Sequence, residues 1–319
     1  MGVFMKILII YGGASFEHDV SLKSCKTIYE NIDKDKFDVS LCYIDHFNNW
    51  FMVDDKFKVM DKITNILEYL KTFDKVFPVI HGNMMEDGML PGLFKMFNIP
   101  YIGSSNAGSV ISYDKDFTKK ICDSYNIKQV PYTIIKDKKK IKKLDFDFPV
   151  IVKPCRCGSS IGINVAHNIK ELNKYIKEAF KYDNKVIIEK FIGNALELEC
   201  AVIDNNRKII VTNVGMIISC KSWYDYDAKY ILDSKTVIPA PISLELKNKV
   251  QELTYKIFDI LELKDLARVD FLYDKDLNIL YFNEVNTMPG FTSISMYLKL
   301  CNDIGIKTKD LITILLKNK

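Results

Sequence analysis

Apolar residues along this chain fall into short continuous runs and helix-spaced stripes. Residues 6–10 (Lys-Ile-Leu-Ile-Ile) form a run of the kind buried on both faces of a parallel sheet. Gly12-Gly13 then turn the chain, and a helix is expected from about 21 to 32. Strand, glycine turn and helix open a doubly wound α/β unit. Residues 37–44 and 75–80 read as further strands, and Glu86-Asp87-Gly88 lead into a short helix ending near Asn98. Pro100 to Gly103 read as a boundary. A helix over 114–125 is followed by strands over 131–136 and 149–153. Leu172, Ile176 and Phe180 repeat at helical spacing within 169–180. Strands are expected over 185–191, as an antiparallel pair over 197–203 and 208–214, and over 267–271 and 278–282. Between them, Leu246, Val250, Leu253, Ile257 and Ile260 mark one side of a helix over 243–261. A helix over 309–316 closes the chain.

Composition narrows the class. A length of 319 residues suggests about two domains, and 48% hydrophobic with 27% charged residues is ordinary for a soluble globular chain. A net charge of +4 does not argue for nucleic acid, and the basic run 136–143 reads as a solvated loop or hairpin tip. No apolar run is long enough to span a bilayer, and no signal peptide is expected at the start. The eight cysteines form no Cys-x-x-Cys pair, so reduced thiols in a cytosolic protein are expected rather than disulfides or zinc.

Candidate chemistry is densest near the end. Side chains two apart on a strand share a face, so Arg268 pairs with Asp270, and Glu284 with Asn286. Antiparallel pairing across a turn near Asp274 to Asn278 would gather Asp270, Glu284 and Asn286, hard oxygen ligands suited to Mg²⁺. Glu-x-Asn alone also fits an ordinary polar hairpin end. After the strand carrying Lys153 comes Lys-Pro-Cys-Arg-Cys-Gly-Ser-Ser-Ile-Gly, whose small residues could cover an anion with backbone amides. A plain hairpin turn remains the alternative there. Glu17 and His81 fall at the carboxyl ends of strands, where open α/β sheets meet ligands. Residues 219–238, polar and aromatic, read as a lid.

Taken in order, GGASFEHDVS, HGNMMEDG, IPYIGS, Asp114-Lys115, VKPCRCGSSIG, YDYDAKY, RVDF and NEVNTMPGFTSIS make the chain resemble the D-alanine–D-alanine ligase family of the ATP-grasp superfamily. The resemblance spans nearly the whole chain. It implies an α/β fold with α+β elements: an N-terminal Rossmann-like substrate-binding domain (1–103), a central ATP-grasp subdomain (104–188), and a C-terminal subdomain carrying lid and metal site (189–319). It implies a reaction in which a D-alanine carboxylate takes the γ-phosphoryl group of ATP and the amine of a second D-alanine displaces phosphate.

The residue roles that follow are also implied by the resemblance. Asp270, Glu284 and Asn286 would hold two Mg²⁺ ions, with Mn²⁺ as a substitute. Lys115, Lys153 and Lys229 would bind phosphates, helped by Ser159 and Ser160. Glu189, Lys190 and Glu197 would hold adenine and ribose. Glu17 would accept the first D-alanine's ammonium, with His81 beside that substrate. Arg268 and the Gly290 amide would form the oxyanion site, and Ser295 would meet the second carboxylate. Glu17, Ser159 and Tyr230 would form a hydrogen-bonded set. A cytoplasmic homodimer serving peptidoglycan synthesis, with no nucleic-acid or membrane partner, is expected. Four departures stand out: Met85 in place of glycine, Pro91 of glutamine, Leu298 of proline, and a longer segment at 193–197. D-alanine–D-serine ligation and a catalytically silent ATP-binding protein are the alternatives, while Lys229-Tyr230 argues against D-lactate.

Overall fold

A computed structural model describes residues 4–137, 141–206, 208–218 and 235–318. Three sheets organise them. The first has the order β4-β3-β2-β1-β5, built from β1 (Met5–Gly12), β2 (Phe37–Ile44), β3 (Trp50–Val53), β4 (Val59–Lys62) and β5 (Lys75–Val79). β1 runs parallel to both β2 and β5, while β3 and β4 add an antiparallel edge. Residues Ile7, Leu8, Ile9 and Ile10 are all fully buried, which explains the unbroken apolar run. Helix α1 (His18–Asn31) makes the crossover to β2. At the end of β1, Gly12 has φ +94°, and a Cβ there would collide with the Ile44 carbonyl. Helices α2 (Ile66–Leu70) and α3 (Met89–Met96) complete this part.

Helices α4 (Asn106–Tyr113) and α5 (Lys115–Ser124) meet at Asp114, whose carboxylate caps α5 by accepting the Asp116 amide at 3.1 Å. The second sheet, antiparallel, has the order β6-β9-β7-β8: β6 (Tyr132–Ile135), β7 (Val150–Pro154), β8 (Asn164–Ala166) and β9 (Val186–Lys190). Helix α6 (Ile169–Ala179) covers it with Leu172 and Ile176.

The third sheet has the order β12-β11-β10-β13-β14, from β10 (Leu196–Asn205), β11 (Lys208–Ile218), β12 (Lys235–Val237), β13 (Leu266–Asp274) and β14 (Ile279–Asn286). Helix α7 (Leu244–Ile260) buries Val250 and Ile257 against it. The closing helices α8 (Met296–Asp303) and α9 (Thr308–Lys317) return to the first sheet and share its core. The buried Lys75 ammonium donates to the Leu315, Leu316 and Asn318 carbonyls at the end of α9, where a cation is favoured.

The departures are accommodated locally. Met85 is buried, and its methyl occupies the space a side chain at Gly103 would need. Pro91 lies in the first turn of α3, where a missing N–H breaks no helical bond. Leu298 is buried in the shared core.

Candidate active site

The β13–β14 register sets Arg268 opposite Asn286 and Asp270 opposite Glu284, so all four share one face. A register shift after Asp270 leaves Asn283 as the extra residue of a bulge. Arg268 clamps Asp270 from Nε at 2.8 Å and Nη2 at 2.7 Å, and Nε lies 2.7 Å from Glu199 on the neighbouring β10. Burial disfavours the guanidinium charge, but Asp270 and Glu199 more than offset that and hold it protonated. Asn286 Nδ2 donates to Asp270 Oδ2 at 3.1 Å.

The expected metal ligands fit a hard cation. An ionised carboxylate offers about four lone-pair directions, so Asp270 keeps one beyond those used by Arg268 and Asn286. The Asn286 side chain shares that strand face and brings an amide oxygen as a further hard donor, and Glu284 adds a second carboxylate. The set is two carboxylates and an amide; among the described residues no three His, Cys, Asp or Glu side chains gather at metal-binding spacing.

A cavity of about 520 Å³ lies between the second and third sheets. Lys115, Lys153, Ser159, Ser160, Glu189, Lys190, Glu197, Asp270 and Glu284 all line it. Lys115 opens α5. Its Nζ donates to the Cys157 carbonyl at 3.0 Å and lies 3.5 Å from Glu284 Oε2. Ser159 and Ser160 both take left-handed backbone at φ +50° and +57°, a conformation uncommon outside glycine and frequent at ligand-binding turns. Ser159 Oγ donates to the Glu17 carboxylate and so ties the glycine-rich loop to the turn after β1. Glu189 is buried between Lys119 at 2.8 Å and Lys153 at 2.6 Å. Burial alone would raise its pKa; the two lysines overcome that and push it down to about 2.

A smaller pocket of about 80 Å³ adjoins, lined by Glu17, His81, Glu86, Arg268, Gly290 and Ser295 among others. His81 Nδ1 donates to the Met288 carbonyl at 2.9 Å, and its Nε2 is hydrogen-bonded to Ser24 Oγ at 3.0 Å. Ser24 Oγ in turn accepts the Phe291 amide at 3.1 Å. Glu86 accepts the amides of Gly82 at 2.8 Å and Met288 at 3.3 Å. The turn carrying Gly290 is therefore pinned on both sides. A Cβ on Gly290 would stand 2.7 Å from Ser295 Oγ, which itself accepts the Thr292 amide at 3.1 Å.

Every expected site residue within the described chain thus lines one of two adjoining cavities. Lys229 and Tyr230, with most of the expected lid, lie outside the described residues. Sequence reasoning gave no role to Lys119, Ser24, Glu86, Glu199 or Asn283. Lys119 could have been found from its place one helical turn after Lys115, and Glu199 from sharing a strand face with Glu197. Nothing local marks Ser24 or Asn283. The described cysteines are all thiols, and no helix among the described residues is long and apolar enough to cross a membrane.

Two sheets facing each other across a lysine-lined cavity, one bearing paired acidic strands, define an ATP-grasp fold. Residues 6–104 match the family model described as D-ala D-ala ligase N-terminus, and residues 121–317 match D-ala D-ala ligase C-terminus. The chain is 39% identical to the D-alanine–D-alanine ligase of Borrelia duttonii, over 96% of this chain and 92% of that one. It is 38% identical to that of Caldicellulosiruptor bescii, over 97% and 93%. The structure superimposes on the VanG D-Ala:D-Ser ligase of Enterococcus faecalis with a TM-score of 0.86 at 32% identity, covering 98% of this chain and 99% of that one. The D-alanine–D-alanine ligase of Coxiella burnetii gives 0.83 at 26% identity, covering 99% and 94%. The chain belongs to the D-alanine–D-alanine ligase family.

Proposed function

We propose that this protein joins two D-alanines at the expense of ATP, through a D-alanyl phosphate, giving D-alanyl-D-alanine for peptidoglycan precursors. One observation carries the reading. Residues on the same two strands line both cavities: Asp270 and Glu284 face the larger, Arg268 and Asn286 the smaller. A phosphate chain and a small carboxylate substrate would meet across that face.

ATP occupies the larger cavity, with its phosphates near Lys115, Lys153 and the amides and hydroxyls of Ser159 and Ser160. Glu189, Lys190 and Glu197 hold adenine and ribose. Mg²⁺, held by Asp270, Glu284 and Asn286 as two ions or replaced by Mn²⁺, supplies charge neutralisation on the phosphates. Glu17 binds the first ammonium beside His81. The first carboxylate oxygen attacks the γ-phosphorus and ADP leaves. The second D-alanine's amine then attacks the acyl carbon, Arg268 and the Gly290 amide stabilise the oxyanion, and phosphate departs. Ser295 meets the second carboxylate, and Lys229 and Tyr230 contribute from outside the described residues. A cytoplasmic homodimer and the three-domain division belong to the same reading.

The test is ADP release with D-alanine, D-serine and D-lactate offered in turn as second substrate. D-alanine is expected to be used best. Likeness to a D-Ala:D-Ser ligase supports D-serine as the second reading, and preferential use of D-serine would select it. ATP binding without ADP release under any pairing would mean a silent binding protein.

A further inference from the structure

Glu189 holds two ammonium groups, one on each oxygen: Lys119 lies 2.8 Å from Oε1 and Lys153 lies 2.6 Å from Oε2. The two lysines differ in what else they can reach. The Lys119 side chain is 1% exposed. Its ammonium meets the Glu189 carboxylate at 2.8 Å and the Tyr132 ring at 5.2 Å, and no other acceptor among the described residues pairs with it. Lys153 instead lines the nucleotide cavity and also reaches Asn283 Oδ1 at 3.5 Å. One lysine is fixed to the carboxylate, and the other has somewhere to go.

We propose that Lys119 is a positioning residue, the permanent counter-ion of Glu189 that releases Lys153 to the phosphates of ATP. The inference rests on the ATP reading of the larger cavity. A buried carboxylate stripped of its only cation is a high-energy state, because no water replaces the lost charge. Were Lys153 the sole partner of Glu189, moving it to a phosphate would create that state, and ATP would compete against the ion pair. With Lys119 in place, the carboxylate stays neutralised throughout the transfer.

Packing alone could also explain a buried lysine, so the test separates charge from shape. ATP affinity is measured by calorimetry without D-alanine for the parent, Lys119→Met, Glu189→Gln and the double variant. Lys119→Met is expected to weaken ATP about tenfold in the parent background, and by less than about twofold once Glu189 is already replaced by Gln, where there is no trap for Lys153. Lys119→Arg keeps the charge and is expected to stay within about threefold of the parent. The KM for D-alanine of Lys119→Met should match the parent. An equal loss in both backgrounds, no loss in either, or an Arg variant as weak as the Met variant would overturn the proposal. If the parent does not bind ATP at all, the site reading itself falls, and the inference with it.

Discussion

Glu86 offers a quantitative test in the smaller pocket. Its carboxyl is enclosed, and burial first, then the charge of Glu17, raises its pKa from 4.5 to about 7 against the opposing pull of the Gly82 and Met288 amides. An acid whose native pKa is raised favours folding while protonated. That contribution is complete below pH 4.5 and is lost as pH rises through about 7. A rise of this size corresponds to ~3 kcal/mol in all, of which ~2–3 kcal/mol falls between pH 5 and 8. Glu86→Gln cannot titrate, but it puts an amide NH₂ where one backbone N–H now finds an oxygen, a constant cost of about 1–3 kcal/mol. Relative to the parent, the variant should therefore gain ~2–3 kcal/mol between pH 5 and pH 8, from less stable at pH 5 to equal or more stable at pH 8. Urea unfolding of both proteins across that range, without substrate, measures the difference. A difference that stays flat with pH would show that Glu86 does not change charge there.

Three further outcomes follow from the site. Glu17→Gln removes a charge-assisted contact worth about 2–3 kcal/mol, so the D-alanine requirement at the first site should rise roughly thirty- to a hundredfold with ATP affinity nearly unchanged, as varied-substrate kinetics would show. Glu284→Gln should cut turnover at least a hundredfold in Mg²⁺ while leaving the thermal midpoint within a few degrees; full activity would remove it from the metal set. Ser24→Ala strands the Phe291 amide and unpins His81, at about 1–3 kcal/mol of stability. Its KM for D-alanine should also rise, read by denaturant unfolding and kinetics together.

Sequence pattern reached far in this chain, and its limits have physical reasons. The run Ile7 to Ile10 and the Glu284/Asn286 spacing announced their structures because period and chemistry coincide there. β3 and β4 escaped notice because each is only four residues long, and β4, at the sheet edge, is exposed throughout, with no buried face to impose alternation. α4 (Asn106–Tyr113) was hidden by Gly108 and two serines, poor helix formers that tertiary packing against Leu261 and Glu262 overrides. At the site, ligand types were legible from strand spacing. The pinning of the Gly290 turn was not, because Ser24 and Phe291 are 267 residues apart and only the fold joins them. The Lys119–Glu189–Lys153 arrangement likewise depends on α5, β7 and β9 converging.

In the proposed reaction the first D-alanine's carboxylate oxygen becomes bonded to the γ-phosphorus. Turnover of D-alanine labelled with ¹⁸O in both carboxylate oxygens tests it, with mass analysis of the released phosphate. One ¹⁸O per phosphate, formed in step with ADP and D-alanyl-D-alanine, is the predicted result. Phosphate carrying no label would contradict the acyl phosphate and the roles assigned to Arg268 and Gly290.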